Sequence, residues 1–404
     1  MGNARAMIWS TAGSLLWGQD KHCLPTMLGK KVAFFGAQYS TGGAGRVCSA
    51  VGKTLAREGY DVDFLVDGTY SEDSYLEEKL PHNGRVVRLT KTRCSDPGYH
   101  DPRRYVELIS ALATYLGREE GGVLVSNLTK FNLMSVWASV LSGFGLGLVL
   151  VEHSLISPHL TGRNRILPWL VRTHYSFADE IVAVSTDVGR ELRESLGMGA
   201  STCTTIRNPL DVEQVVAKSQ QEVDHDWFLD DIPVVMGVGR FVEQKQFSVL
   251  LEAFERLVHH VEVRLVLAGR GPLRKDLREL AVELGIEKHV DFLGFVPNPY
   301  KYMQRSQLLA ISSESEGCPV VALEALACGT PIVSTDCPGG NSDILKNGEY
   351  GELVDVGDPC GLADAMARTL DDPPAPDRLV ERAQHYDVDK IADRYAAVIN
   401  RAMK

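Results

Sequence analysis

The chain has no basic surplus, no paired cysteines and no long apolar run, and each absence narrows what it can be. Its 404 residues carry 42 Lys and Arg against 53 Asp and Glu, a formal net charge of −11. Nucleic-acid binders usually show the opposite balance, so that class is set aside, although a local basic patch stays compatible with it. No stretch approaches the roughly 18 apolar residues that cross a bilayer. Cys23, Cys48, Cys94, Cys203, Cys318, Cys328, Cys337 and Cys360 are scattered without a C-x-x-C pair. That spacing argues against zinc. Several of them lie in apolar runs and suit small core residues in a reducing compartment.

Familiar phosphate and metal motifs are also missing. Gly52-Lys53-Thr54 looks like the end of a P-loop, but the earlier glycine that motif requires falls on Val47. No G-x-G-x-x-G is present, since Gly43 follows Gly42 directly. No D-x-D stands where it could serve a metal: Asp61-Val-Asp63 opens a core strand, where it is badly placed. The apolar stretch Ile8 to Trp17 lacks a charged start and a cleavage site, so a signal peptide is not expected. The first 26 residues are expected to be a disordered extension or an over-extended gene start, with Met27 just ahead of the first convincing strand.

What is present is ordinary globular composition, 44% hydrophobic and 24% charged, on a length that suits two domains. Short apolar runs alternate with helical patterns in both halves. Lys31 to Gly36 reads as a strand, and Gln38 to Arg46 is a glycine-rich loop. A helix with Val47, Val51 and Leu55 on one face follows, then a strand at Val62 to Val66. Gly42, Gly43 and Gly45 make either a plain tight turn or a phosphate-binding one. Strands are expected at Arg85 to Leu89, Val123 to Ser126, Leu148 to His153 and Ala178 to Ser185. The helix after Ser185 is expected to run to Gly197. His153 ends its strand where α/β sheets place ligands, with Glu152 beside it as a weaker candidate; a loop histidine without a ligand is the plainer alternative. The pattern restarts with strands at Val234 to Arg240, Val263 to Ala268 and Val290 to Gly294. Repeated alternation in both halves predicts two parallel, doubly wound sheets.

Thr161 to Phe177 sets Arg163, Arg165 and Arg172 beside Ile166, Leu167, Trp169 and Leu170. Such a helix either rests on an anionic membrane or packs on the core with solvated arginines. Arg240 and Lys245 flank a loop after a strand, which by itself reads most simply as a solvated loop.

The stretch Ser313 to Gly329, S-E-S-E-G-C-P-V-V-A-L-E-A-L-A-C-G, carries the most chemistry. A helix is expected from Pro319 to Cys328, because proline suits a first turn and glycine a position just past the end. Amides near Val320 and Val321 would then point toward the loop Glu316-Gly317-Cys318, as at an anion-binding helix start. Glu324 lies among Val321, Leu323, Ala325 and Leu326, and a carboxylate there needs hydrogen-bond donors. Those donors are either a ligand's hydroxyl pair or a nearby Arg or backbone group.

Two glutamates eight positions apart around E-G-C-P, followed by E-A-L-A-C-G-T-P-I-V-S-T-D, resemble the donor signature of glycosyltransferase family 4. The resemblance extends over about Lys31 to Met403, with Gly239-Arg240-Phe-Val-Glu-Gln-Lys245 similar to that family's G-R-x-x-x-Q-K. Gln246 departs from the usual glycine. The resemblance implies a GT-B fold, two Rossmann-like doubly wound parallel-sheet domains facing a central cleft. It implies a first domain of residues 30–205 with 388–404, the last helix crossing back, and a donor domain of residues 206–387, after an extension at 1–29. It implies a retaining, nucleotide-sugar-dependent transferase, with UDP the commoner nucleotide and closure of the cleft over the donor. Glu316 would bind donor-sugar hydroxyls and Glu324 the ribose. Gly317, Cys318, Pro319, Val320 and Val321 would meet sugar and diphosphate, and Gly42 and Gly43 the donor phosphate. Arg240 and Lys245 would stabilise the departing diphosphate, His153 would hydrogen-bond the sugar, and Phe295 would lie near the nucleobase unless it merely packs. No metal or other cofactor is expected. The implied partners are a nucleotide sugar and a glycan or lipid-linked saccharide. A cytoplasmic protein with a peripheral contact at the inner face of the membrane is expected, and no nucleic acid. A UDP-sugar 2-epimerase on the same fold and a catalytically silent binding subunit are the alternatives.

Overall fold

The computed structural model describes residues 30–36, 39, 42–68, 80–90, 102–157 and 166–403. The expected N-terminal extension, Arg163 and Arg165 lie outside the described residues. The first sheet takes β1 (Lys31–Phe35), β2 (Asp61–Val66), β3 (Gly84–Arg88), β4 (Val123–Asn127), β5 (Gly147–Glu152), β6 (Glu180–Ala183) and β7 (Cys203–Thr205). Its order is β3-β2-β1-β4-β5-β6-β7 and every pair is parallel. The second sheet takes β8 (Val234–Val238), β9 (Arg264–Ala268), β10 (Val290–Gly294), β11 (Leu308–Ile311), β12 (Ile332–Thr335) and β13 (Glu352–Val354). Its order is β10-β9-β8-β11-β12-β13, again parallel throughout. These are two Rossmann-like sheets, the architecture read from the alternation.

Each sheet reverses its strand order beside its first strand, at β1/β4 and at β8/β11. The crevices at the carboxyl ends of strands at such switch points are where open α/β sheets hold ligands. In the first domain, α1 (Gly43–Arg57) follows β1 and α3 (Thr129–Ser142) follows β4, with α2 (Pro102–Leu116) before β4. In the second, α7 (Phe247–Val258) follows β8 and α10 (Val320–Ala327) follows β11. The last helix, α14 (Val388–Ala402), packs on α1 and on β4, β5 and β6 of the first sheet. Arg401 holds Glu180 at 2.6 Å, and Asn400 donates to the Tyr60 hydroxyl at 3.1 Å. Gly147 faces the Ala402 carbonyl so closely that a Cβ would lie 1.8 Å from it. The two crossings between sheets run side by side: Leu210 N donates to the Tyr386 carbonyl at 2.8 Å, and Val388 N to the Leu210 carbonyl at 2.9 Å.

Three boundaries differ from expectation. The helix after β6 is α5 (Thr186–Arg190), which passes into a π-turn at Glu191–Ser195. Pro319 is not helical but caps α10 with an extended backbone, φ −70° and ψ 104°. The arginine helix is short, α4 (Leu167–Tyr175), and only Val171 and Tyr175 on it are buried. Among the described residues no helix is long and apolar enough to cross a membrane.

The D-x-D pair serves the core of the first domain. Asp63 is fully buried and takes Arg85 at 2.6 Å, Lys31 at 3.1 Å and the Tyr115 hydroxyl at 2.5 Å. Burial alone would raise its pKa, but the hydrogen bonds from Arg85, Tyr115 and Lys31 outweigh it and hold the carboxyl below its ordinary value. Asp63→Ala should therefore destabilise the chain by about 3 kcal/mol, the lower end for a broken buried pair because Arg85 stays largely solvated. Urea unfolding of both proteins checks this. Because the folded pKa is depressed, the stabilisation is complete above the unfolded value of about 3.9 and is lost as pH falls through the folded one. The gap between the two proteins should persist above about pH 4 and close only in stronger acid.

Candidate active site

The residues singled out in the sequence lie on the loops and helix starts that follow β1, β5, β8, β10 and β11. The loop Glu316-Gly317-Cys318 is pressed between both domains. A Cβ on Gly317 would stand 1.7 Å from the His153 carbonyl oxygen of the first domain. Behind the loop, Gly339 approaches the Glu316 carbonyl so that a Cβ would stand 1.9 Å away. Only glycine fits either place without displacement. Glu316 N donates to the Pro338 carbonyl at 3.0 Å, and Asn208 donates to the Cys318 carbonyl at 2.8 Å. The Cys318 thiol is buried and its pKa is pushed up to about 12, so it is inert rather than nucleophilic.

Glu316 is nearly buried. Its Oε1 takes a short hydrogen bond from Lys245 and one from the Ser313 hydroxyl at 2.7 Å. Arg240, at the end of β8, is exposed, and its guanidinium has no partner among the described residues. Lys245 reaches Glu316 because a 3-10 turn at Glu243–Lys245 folds its loop back. Gln246 closes that turn at φ +43°, the left-handed region that favours glycine, so glutamine here keeps the conformation at a cost in strain.

Helix α10 begins beside this pair. Among the described residues, the amides of Val320 and Val321 have no acceptor within the chain. Gly43, at the start of α1, packs on Val320, with 3.5 Å between its Cβ position and the valine methyl. Gly42 takes φ +78° and faces open space. One turn into α10, Glu324 is 1% exposed. Its Oε1 accepts from Arg46 of α1 at 2.5 Å and from the Tyr300 hydroxyl at 3.0 Å. Both readings weighed for Glu324 thus meet at one residue: a nearby arginine does pair with it, and its Oε2 stays unpartnered among the described residues. Phe295 stands apart from these groups, 58% exposed with the Arg270 guanidinium 4.9 Å from its ring centre.

His153 is held in one tautomer. The Asn127 amide nitrogen points at the Phe35 and Val125 carbonyls, so its Oδ1 is the acceptor facing His153 Nε2 at 3.1 Å. Nε2 then carries the proton and Nδ1 is left as an acceptor. Burial lowers the His153 pKa to about 4, which keeps the ring neutral at pH 7. Glu152 does not face the cleft. It is fully buried behind His153, accepting from Thr129, from the Tyr175 hydroxyl at 2.6 Å and from the His153 amide at 3.1 Å. Burial pushes its pKa up to about 7, against those hydrogen bonds. Leu128, between Asn127 and Thr129, sits at φ +73°, a strained position for leucine at the point that organises both residues.

Four residues that the sequence did not single out complete the arrangement: Arg46, Tyr300, Asn127 and Asp343. Asp343 accepts from the Thr186 amide and hydroxyl, each at 2.8 Å, and from Arg207 at 3.1 Å, which ties the second domain to the first. Arg46 stood in the glycine-rich loop and was visible; the other three carry no local signal, because their partners are distant in the chain. Among the described residues no group of three or more His, Cys, Asp or Glu is placed to hold a metal.

Gly317→Ala should hold the domains apart, because a methyl group cannot share space with the His153 carbonyl. Small-angle scattering should show a larger radius of gyration than for the unsubstituted chain. An unchanged radius would mean that the loop yields instead.

The family model for glycosyl transferases group 1 matches residues 220–386, and that for glycosyltransferase family 4 matches residues 41–214. The N-acetylgalactosamine-N,N'-diacetylbacillosaminyl-diphospho-undecaprenol 4-alpha-N-acetylgalactosaminyltransferase of Campylobacter jejuni is 30% identical over 354 residues, 85% of this chain and 91% of its own length. N-acetyl-alpha-D-glucosaminyl L-malate synthase of Bacillus anthracis is 26% identical over 366 residues, 89% and 94% of the two chains. Among solved structures, Anabaena HepE in complex with UDP and glucose superposes at a TM-score of 0.72 with 21% identity, over 92% of this chain and 99% of that one, a likeness of fold. With a full-length relative at this identity and both family models in place, the chain belongs to glycosyltransferase family 4 and is a glycosyltransferase of the GT-B fold.

Proposed function

We propose that the chain moves a hexose or N-acetylhexosamine from a UDP-sugar, with retention, to an acceptor hydroxyl on a glycan or lipid-linked saccharide in cell-envelope assembly. The observation that carries this reading is the cluster around Glu316. One carboxylate is held by Lys245, in the loop that Arg240 opens, and among the described residues Arg240 and the first amides of α10 have no partner. Breaking the anomeric carbon–oxygen bond moves negative charge onto the diphosphate. Arg240, Lys245, the Val320 and Val321 amides and the Gly43 turn supply donors already in place for that charge. Glu316 Oε2 would take the sugar hydroxyls, with Gly317 and Cys318 lining that loop, and Glu324 Oε2 the ribose. Neutral His153 offers Nδ1 to a sugar hydroxyl. The departing phosphate oxygen would take the acceptor's proton, so no carboxylate base is assigned. Phe295 would lie by the nucleobase. UDP is favoured because HepE was solved with it, and a lipid-linked acceptor because the Campylobacter enzyme's name specifies a diphospho-undecaprenol.

A thermal-shift panel of nucleotides and nucleotide sugars tests the donor. At 100 times its dissociation constant a ligand should add about 2.7 kcal/mol. We expect a selective shift with one UDP-sugar, absent in Glu324→Ala. No shift with any UDP, GDP or ADP compound would favour a silent binding subunit, and a changed sugar without acceptor an epimerase. With the acceptor present, NMR of the product should show the donor's anomeric configuration. Because Arg240 and Lys245 provide the cationic charge, EDTA should leave turnover unchanged.

Peripheral membrane contact is part of the same proposal. Trp137, Leu141, Trp169 and Phe177 are 51%, 66%, 65% and 52% exposed on α3, α4 and the turn after α4. Trp137 packs on His174 and Phe177 on Phe144, which brings α3 and the end of α4 together, and Arg172 on α4 is exposed. Aromatic side chains flanked by arginine suit an anionic bilayer, at the cytoplasmic face of the membrane. The chain should co-sediment with vesicles containing phosphatidylglycerol and less with neutral ones, and a Trp169→Ser/Phe177→Ser double substitution should abolish the difference.

A further inference from the structure

Glu324 draws its counterion from the opposite domain. Its own domain supplies only a neutral partner, the Tyr300 hydroxyl at 3.0 Å. The cation is Arg46, on the first turn of α1 in the first domain, at 2.5 Å from the same oxygen and 3.1 Å from the Tyr300 hydroxyl. Arg46 and Tyr300 both end on Oε1, and Oε2 keeps its lone pairs for something else. A carboxylate this deeply buried is costly when one partner is removed. With the domains parted, Glu324 would keep a phenol and lose the one cation that pairs with it among the described residues.

We propose that Arg46 is a positioning residue for the ribose-binding carboxylate. It clamps Oε1 of Glu324 across the cleft and turns Oε2 toward the ribose 2′ and 3′ hydroxyls. Recognition of ribose is then complete only in the closed form, so that closure and capture of the nucleotide favour each other, as linkage requires. The proposal rests on the reading of Glu324 as the ribose residue.

The test compares UDP with 2′,3′-dideoxy-UDP by titration calorimetry on the full chain, unsubstituted and as Arg46→Gln and Arg46→Lys. The unsubstituted chain should prefer UDP by about 10-fold or more, the range for a hydrogen bond to a charged group. Arg46→Gln should weaken UDP toward its dideoxy form while leaving the dideoxy form unchanged, and Arg46→Lys should recover part of the preference. A merely structural role would weaken both nucleotides together and overturns the proposal. So does a preference that survives Arg46→Gln, which leaves the ribose reading intact. Tighter UDP binding in Arg46→Gln also overturns it, since Arg46 would then compete with ribose. An unsubstituted chain without preference, or without affinity for UDP, removes the ribose reading and the proposal with it.

Discussion

Two carboxylates are withdrawn from water around one short helix, one in the loop before it and one a turn into it, and the rest of the cleft is arranged to pair them. Each is solved in the same way. Oε1 of Glu316 is held by a lysine and a serine hydroxyl, and Oε1 of Glu324 by an arginine and a tyrosine hydroxyl. In both, Oε2 has no partner among the described residues. Desolvating an ion costs several kcal/mol, and a cation with a hydroxyl on one oxygen offsets it while leaving the second oxygen available. The difference is in where the cation comes from. Lys245 belongs to the same domain as Glu316, whereas Arg46 reaches Glu324 from the other one.

Backbone as well as side chains brings those domains together. Gly317 of the second domain meets the His153 carbonyl of the first at a separation that admits no methyl group, and Gly339 backs that loop from within the second domain just as closely. Contacts of this kind give no adhesion of their own, so polar ties flank them. Asp343 collects Thr186 and Arg207, and Asp187 accepts from the Gly339 amide at 2.9 Å. The paired crossings at Leu210 and Val388 bind the two strands of chain that run between the domains. Small residues at the centre with charged ties at the edge suit an interface that opens and closes rather than one that is permanently sealed.

Much of this was legible in the sequence because it is local. Alternating apolar runs and helical patterns mark the parallel sheets, and Val290–Gly294 falls where the pattern places it. The helix around Glu324 could be read from its apolar run and from Gly329, which does take φ +71°. Pro319 was misplaced by one step, since a proline suits a cap as well as a first turn. What could not be read depends on pairs far apart in the chain. Arg46 and Glu324 are 278 positions apart, and His153 and Gly317 meet only once both sheets exist. Glu152 and His153 are neighbours in sequence, and Glu152 was the weaker of two candidates. Strand alternation sends one into the core and the other toward the cleft, and which is which depends on the sheet face that packs inward.

The apolar face lies partly on the helix that departs from the strand carrying Asn127, the partner of His153, and if that face meets a membrane it would limit what the acceptor can be. Asn127, which sets the tautomer of His153, ends the strand from which α3 departs, and Trp137 and Leu141 lie on the outer part of that helix. At 1.5 Å per residue, Trp137 is about 15 Å along the chain from Asn127. If the aromatic face rests in the headgroup layer, as proposed, the site that holds the sugar stands no more than a few sugar rings from the bilayer. A lipid-linked acceptor would then reach the cleft with only its outermost residue, and one too short to span the gap would stop short of His153. The spacing would be set by a helix packed on the sheet, and so would act on acceptor length independently of how the donor is held.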